Sequence, residues 1–386
     1  MNPSGKEPSP ISPGQKVLLA ATVYQHLANL HIPFIRLLKS MGCEVHLAAC
    51  PDERRARLEE EDVILWDIPF SRNPLSISNL RALRKLTELM KNQNYKFVHI
   101  NTPIAAVIGR FAAALTSTPV IYMAHGFHFY RGASGFSAHI YYLVERLLSP
   151  LSDCLIVVNE EDRQEALRFT LRNQGPVFHV PGVGVDIKHF GKPIRLPKEI
   201  KHELGLNPEE KVVMVVAEMS RVKNHIQVFK AFNQLLTFYP RTRLILAGDG
   251  TQKEKLQTYA VNLGIEDKVI FLGFRDDIPD LLSIADVVVL TSFREGLCTA
   301  LVEAMAAGCP LIGTDVRGIR DLISEGENGF LVSIGDADQT TARIIQLLDN
   351  EILRYKMGAK SREKARAYDV AVTTTRMREI YGLFLS

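Results

Sequence analysis

Cysteine is scarce in this chain: five residues, at positions 43, 50, 154, 298 and 309, with no CxxC pair among them. Their spacing argues against a disulfide framework or a thiolate metal site, and their mostly apolar surroundings suit reduced core thiols of a cytosolic protein. A dominant charge is lacking too. The 46 Lys and Arg against 43 Asp and Glu leave +3, too little to argue for nucleic acid, though compatible with an anionic ligand or membrane surface. No apolar run approaches the ~20 residues a spanning helix needs, so any membrane contact is expected to be peripheral. Residues 1–15 carry Pro, Ser and Gly but no apolar core, and read as a floppy tail rather than a signal peptide.

What is present belongs to a globular protein: 46% hydrophobic and 23% charged residues over 386 positions, too many for one ordinary core. Short apolar runs alternate with helical patterns. In the first half, strands are expected at 16–21, 43–48, 63–68, 97–100, 120–123, 154–158 and 177–180, with helices at 27–41, 80–90 and 105–115. The alternation pauses in a Pro-containing connector at 191–197. It restarts with strands at 212–216, 243–247, 269–272, 287–290, 310–314 and 329–332, and with helices at 226–238 and 252–263. Residues 341–385 read as helical, with breaks suggested at Gly358 and Asp369. Such alternation implies parallel, doubly wound sheets. The expected architecture is α/β: two Rossmann-like domains facing across a cleft, an N-terminal one over 16–190 and a C-terminal one over 191–386. The last helix is a candidate to pack back on the N-terminal domain.

The most informative span is 294–308. The run 285–290 makes a buried parallel strand; Ala300, Leu301, Ala304 and Met305 then repeat at helical spacing, and Gly308 is placed to end the helix. Glu295 therefore falls in the loop at the carboxyl end of a strand, where open α/β sheets bind ligands, and Glu303 about one turn into the helix. The amides of Gly296, Leu297, Cys298 and Thr299 between them form a helix amino end suited to phosphate. A diphosphate there, with a carboxylate on each side to accept hydroxyl hydrogen bonds, describes a nucleotide-sugar site.

The chain resembles the retaining glycosyltransferases of family 4, with the two-domain GT-B architecture, over nearly everything after residue 15, and within them the bacterial enzymes of capsule, exopolysaccharide and lipid-linked glycan assembly. The family's E-x7-E motif falls on Glu295 and Glu303, implying that Glu295 holds donor-sugar hydroxyls and Glu303 the ribose hydroxyls. In the segment 217–225 Lys223 fits the family's diphosphate-gripping lysine. Its partner arginine is replaced by Glu218, so Arg221 is taken as the substitute. His125, in Ala124-His125-Gly126, matches the histidine that faces the donor sugar. Gly248 stands in a turn that lets backbone approach the nucleotide, and Phe274 and Arg275 where the family cradles the base. The Gly-Gly loop many relatives carry after the first strand is absent; residues 21–26 stand there instead. Asp336 and Asp338 have the spacing of a metal site in another fold but read as helix-cap residues.

The resemblance implies transfer of a hexosyl group, N-acetylhexosaminyl included, from a nucleotide diphosphate sugar to a hydroxyl of a glycan or polyprenyl-diphosphate-linked acceptor. Retention at the anomeric carbon is implied, with no metal and no cofactor. Family frequency favours UDP. A non-hydrolysing epimerase of UDP-N-acetylhexosamine and a silent sugar-nucleotide-binding protein share the architecture and stand as alternatives. Arg54, Arg55, Arg57, Arg81, Arg84, Lys85 and Lys91 form either a solvated face or a contact with an anionic leaflet. A cytoplasmic protein, peripheral on the inner face of the cell membrane, is the expected setting.

Overall fold

The structure, a computed structural model, describes residues 14–130, 132 and 135–385. Most of the expected tail lies outside the described residues. The chain divides into two compact units: residues 1–183 with 370–386, and residues 184–369.

The first unit is built on seven parallel strands, β1 (Lys16–Val23), β2 (Glu44–Cys50), β3 (Ile64–Asp67), β4 (Phe97–Ile100), β5 (Val120–Ala124), β6 (Cys154–Val157) and β7 (Val177–His179), in the order β3-β2-β1-β4-β5-β6-β7. The second has six, β8 (Lys211–Val216), β9 (Thr242–Ala247), β10 (Val269–Gly273), β11 (Val287–Leu290), β12 (Leu311–Thr314) and β13 (Gly329–Val332), in the order β10-β9-β8-β11-β12-β13. Every pairing is parallel, and β4, β5, β6, β11 and β12 are buried along their whole length. Helices covering both faces account for that, and for why these strands read as continuous apolar runs rather than alternating ones. In each sheet the strand order reverses once, between β1 and β4 and between β8 and β11. Such switch points open a crevice at the strands' carboxyl ends.

Three expectations need correction. The division between units falls before residue 184, not in the connector at 191–197. The reason is that 185–190 packs into the second unit: Val185 N–H donates to Tyr368 O at 2.9 Å, and Ile187 and Phe190 lie against its core. The C-terminal helix Val370–Leu385, which the sequence offers as a candidate to pack back on the N-terminal domain and which needs no correction, lies in the first unit, where Tyr381 stacks on Phe97. Gly358 does not break its helix. The chain breaks at Asn350 instead, whose side chain caps Glu351–Ala365, and Gly358 lies inside that helix because a Cβ there would meet Gly308 O at 2.2 Å. The expected helix 27–41 is three pieces: Tyr24–His26, a π-helical turn Leu27–His31, and Ile32–Ser40.

One helix that sequence periodicity left unassigned is Phe136–Leu148. Glu145 anchors it, accepting from Arg110 Nη1 at 2.9 Å and from the Tyr122 hydroxyl at 3.1 Å. Phe136, Ile140, Leu143 and Leu147, at helical spacing, are all exposed.

Candidate functional site

The second unit's switch point gathers the acidic and basic residues singled out in the sequence. After β8 the chain makes a 3-10 turn, Arg221–Lys223, and Asn224 adopts a left-handed conformation (φ 48°) before the helix His225–Leu235. Two bonds tie this loop to the one after β11: Phe293 N–H donates to Val222 O at 2.8 Å and the Thr291 hydroxyl to Asn224 O at 2.9 Å. Lys223 Nζ is thereby held 2.7 Å from Glu295 Oε1, which also accepts from the Ser292 hydroxyl at 2.6 Å. Burial opposes the lysine's charge, but the Glu295 carboxylate beside it, which also accepts its hydrogen bond, outweighs burial and holds its pKa above the ordinary value.

The helix itself runs Thr299–Ala307, with Cys298 as a half-extended N-cap (φ −89°, ψ 92°) and Gly308 left-handed beyond its end. Gly296, Leu297 and Cys298 therefore lie in the approach to the helix, not in its first turn, and Thr299 is its first residue. Cys298 is buried and its thiol is pushed up to about 12 by that burial, so it is neutral. Glu303 stands one turn in. Burial raises its carboxyl to about 7, and no hydrogen bond or ion pair to it is found among the described residues. Carboxylates without partners in such surroundings are costly unless a ligand satisfies them.

Sequence reasoning missed the support for Glu295. Arg317, buried in the loop after β12, donates from Nε to Glu295 O at 3.1 Å. Next to it Gly318 (φ +74°) lies so close that a Cβ would meet Gly296 O at 2.4 Å. Nothing in the local pattern at 315–318 distinguishes this contact from an ordinary αβ loop.

The remaining residues are placed less centrally. Arg221 is exposed and has no ion pair among the described residues. Gly248 (φ +146°) is required by close approach to the protein's own chain, since a Cβ would meet Ala217 O at 2.0 Å. Phe274 is exposed after β10. Arg275 is taken up by carboxylates, donating to Asp277 Oδ1 at 2.6 Å and Glu203 Oε1 at 3.1 Å, so its guanidinium is not a free cation. Asp336 caps the helix Ala337–Asp349 by accepting from Gln339 N–H at 2.8 Å, and Asp338 accepts from Gln234 at 2.7 Å, so the two carboxylates do not converge.

In the first unit His125 follows β5. Its Nε2 is buried without a hydrogen-bond partner among the described residues, and its ring meets those of His26 and His31 edge-on, at centroid distances of 5.0 and 5.2 Å. Burial holds all of these imidazoles neutral, His26 down to about 4. His128 packs against Tyr141. Nearby, at the carboxyl ends of β1 and β4, the Thr22 and Thr102 hydroxyls are 2.7 Å apart. A cavity of about 540 Å³ is lined by Thr22, His26, Arg72, Pro74, Thr102 and Tyr141.

Comparison with known proteins adds the following. A family model described as "Glycosyl transferases group 1" matches residues 197–364, and one described as "Glycosyl transferase 4-like domain" matches residues 34–181. EpsD of Bacillus subtilis (strain 168), named as a glycosyltransferase, is 37% identical over 378 residues, covering 96% of this chain and 97% of that protein. The UDP-Gal:alpha-D-GlcNAc-diphosphoundecaprenol alpha-1,3-galactosyltransferase of Escherichia coli is 25% identical over 328 residues, 83% of this chain and 84% of its own. HepE of Anabaena, solved with UDP and glucose, superposes with a TM-score of 0.80 at 21% identity, covering 96% of this chain and all of that one, a likeness of fold.

Proposed function

The chain belongs to the group 1 (family 4) glycosyltransferases of GT-B fold, and from that premise we propose that it transfers a hexosyl group, with retention, from a UDP-sugar to a hydroxyl of a polyprenyl-diphosphate-linked glycan. The observation that carries this reading is the unpartnered Glu303 carboxylate inside a helix whose approach runs past the Lys223–Glu295 pair. A nucleotide sugar supplies what each group lacks. Ribose hydroxyls donate to Glu303, sugar hydroxyls to Glu295, and the diphosphate takes the Lys223 and Arg221 cations and the amides at the start of Thr299–Ala307.

In the proposed step the bond from the anomeric carbon to the β-phosphate oxygen breaks while the acceptor oxygen bonds to the same face. The acceptor's proton passes to the departing phosphate oxygen. Negative charge grows on the diphosphate, and Lys223, Arg221 and the helix start stabilise it without a metal ion.

Support for a lipid-linked acceptor comes from the first unit. Among the described residues no helix is long and apolar enough to cross a membrane. Yet Phe136, Ile140, Leu143 and Leu147 expose an apolar stripe, and the helix Ser78–Gln93 turns Arg81, Arg84 and Lys85 to solvent while burying Ala82, Leu86 and Leu89. Apolar and basic faces of this kind suit the anionic cytoplasmic leaflet. The relatives from Escherichia coli and Campylobacter jejuni, the latter 25% identical over 365 residues, are named for undecaprenyl-diphosphate-linked acceptors.

A thermal-shift panel of UDP-, GDP- and ADP-sugars, followed by transfer to a polyprenyl-diphosphate sugar, tests the proposal. A UDP-sugar raises the melting temperature, and the product carries the donor's anomeric configuration by NMR. Conversion of donor without acceptor, or binding with no turnover, overturns it.

A further inference from the structure

We propose that His26, His31 and His125 form a binding site for a borderline-soft divalent ion, Zn²⁺ foremost. The site goes beyond the transfer reading, which routes no step through a metal. It is built by the π-helical turn Leu27–His31. In an α-helix, residues five apart point about 140° away from each other. A π-turn bonds residue i to i+5 and brings such residues onto one face, and turns of this type are frequent at functional sites. Here the result is a separation of 3.3 Å between His26 Nε2 and His31 Nε2.

His125, from the end of β5, completes the group. The three side chains each offer one ring nitrogen, and these nitrogens lie within 4.8 Å of one another. Tetrahedral zinc with Zn–N bonds of about 2.0–2.1 Å places ligand nitrogens about 3.4 Å apart. The His26–His31 pair, hydrogen-bonded to each other here, already stands at about that separation, and the third nitrogen, from His125, lies within 4.8 Å of both.

A second, independent observation points to a missing partner. His125 Nε2, a ring nitrogen of the group itself, is buried and has no hydrogen-bond partner among the described residues. An unsatisfied buried nitrogen of this kind is unusual in a native interior. Three imidazoles without a thiolate or carboxylate suit Zn²⁺, Ni²⁺ or Cu²⁺ rather than Mg²⁺ or Ca²⁺. His26 also lines the cavity shared with Thr22 and Thr102, which gives an ion a way in and leaves a coordination position for water.

The test uses the full chain, stripped with chelator, dialysed and titrated with Zn²⁺ alone by calorimetry. Co²⁺ serves as the spectroscopic probe. One saturable equivalent and the intense visible bands of tetrahedral cobalt are expected. His26→Gln, at a partly exposed position, weakens binding roughly 100-fold or more, as loss of a ligand exceeds the 10- to 100-fold cost of losing a ligand's support. His125→Gln does the same, and His128→Gln leaves binding unchanged. Each variant is first checked for native circular dichroism; should His125→Gln fail that check, His26→Gln decides. Absence of saturable uptake in the wild type, or equal uptake by wild type and His26→Gln, overturns the proposal.

Discussion

Lys223 Nζ lies 2.7 Å from Glu295 Oε1, joining loops that follow β8 and β11 at the sheet's switch point. The pair is mostly enclosed, with side-chain exposures of 21% and 10%. Lys223→Met and Glu295→Gln are each expected to lower kcat by ~10²–10³, the effect of removing one charge-stabilising group from a transition state. The double variant should be little worse than either single one, because the residues act as a unit. Breaking a fully buried pair costs about 3–5 kcal/mol, so each single variant should also melt earlier, by less than that figure implies. Steady-state rates and melting curves on the three variants check both statements; unchanged turnover would remove the pair from the chemistry.

Glu303 gives a pH dependence of definite sign. Its folded pKa, about 7, is raised above the ordinary carboxyl value. The folded state therefore holds the proton more tightly than the unfolded one, and this group costs stability progressively as pH rises from about 4.5 to about 7. Glu303→Gln should melt higher than wild type at pH 8 and no higher at pH 4. Nucleotide-sugar hydroxyls bind the ionised form better, so donor affinity should rise between pH 6 and pH 8 in the wild type and stay flat in Glu303→Gln. Calorimetry at the three pH values reads both effects.

Gly318 should matter without touching substrate. A methyl group there would meet Gly296 O at 2.4 Å, at a φ of +74° that side chains rarely adopt. Gly318→Ala is expected to cost about 1–3 kcal/mol through strain at a special backbone position, and to raise the KM for the donor several-fold by displacing Glu295 and Gly296. A control change at Gly326, which also has positive φ (+77°) but open space around it, should leave the KM alone.

The exposed stripe of Phe136–Leu148 predicts a lipid effect. Leu143→Ser with Leu147→Ser should reduce co-sedimentation with vesicles containing anionic lipid, while Arg81→Gln with Lys85→Gln should weaken it mainly at low salt. Equal sedimentation of all proteins, or binding indifferent to anionic lipid, would make both faces ordinary solvated surface.

Much of this was legible in residue order because a buried parallel sheet writes itself as short β-branched runs, and because a helix ending at Gly308 declares its own stop. Glu295 and Glu303 could be placed from those signals alone. What escaped depends on contacts across long sequence separations. Arg317 and Gly318 support Glu295 from another crossover, and Arg275 is absorbed by Glu203, 72 positions earlier. The π-turn was invisible because 27–41 keeps a serviceable helical periodicity, and one extra residue per turn leaves little trace in an apolar pattern. Gly358 misled for the opposite reason: glycine inside a helix suggests a break unless a neighbouring backbone needs the room.

The segment Val370–Leu385 completes the first unit, its Tyr381 hydroxyl 2.8 Å from His99 Nδ1 on β4. A ribosome delivers that helix only after the whole of 184–369. The amino-terminal sheet must therefore wait, with the surface that will meet Tyr381 uncovered, until the intervening unit has been made. Damage to the helix Val370–Leu385 should accordingly harm the half of the pair synthesised first.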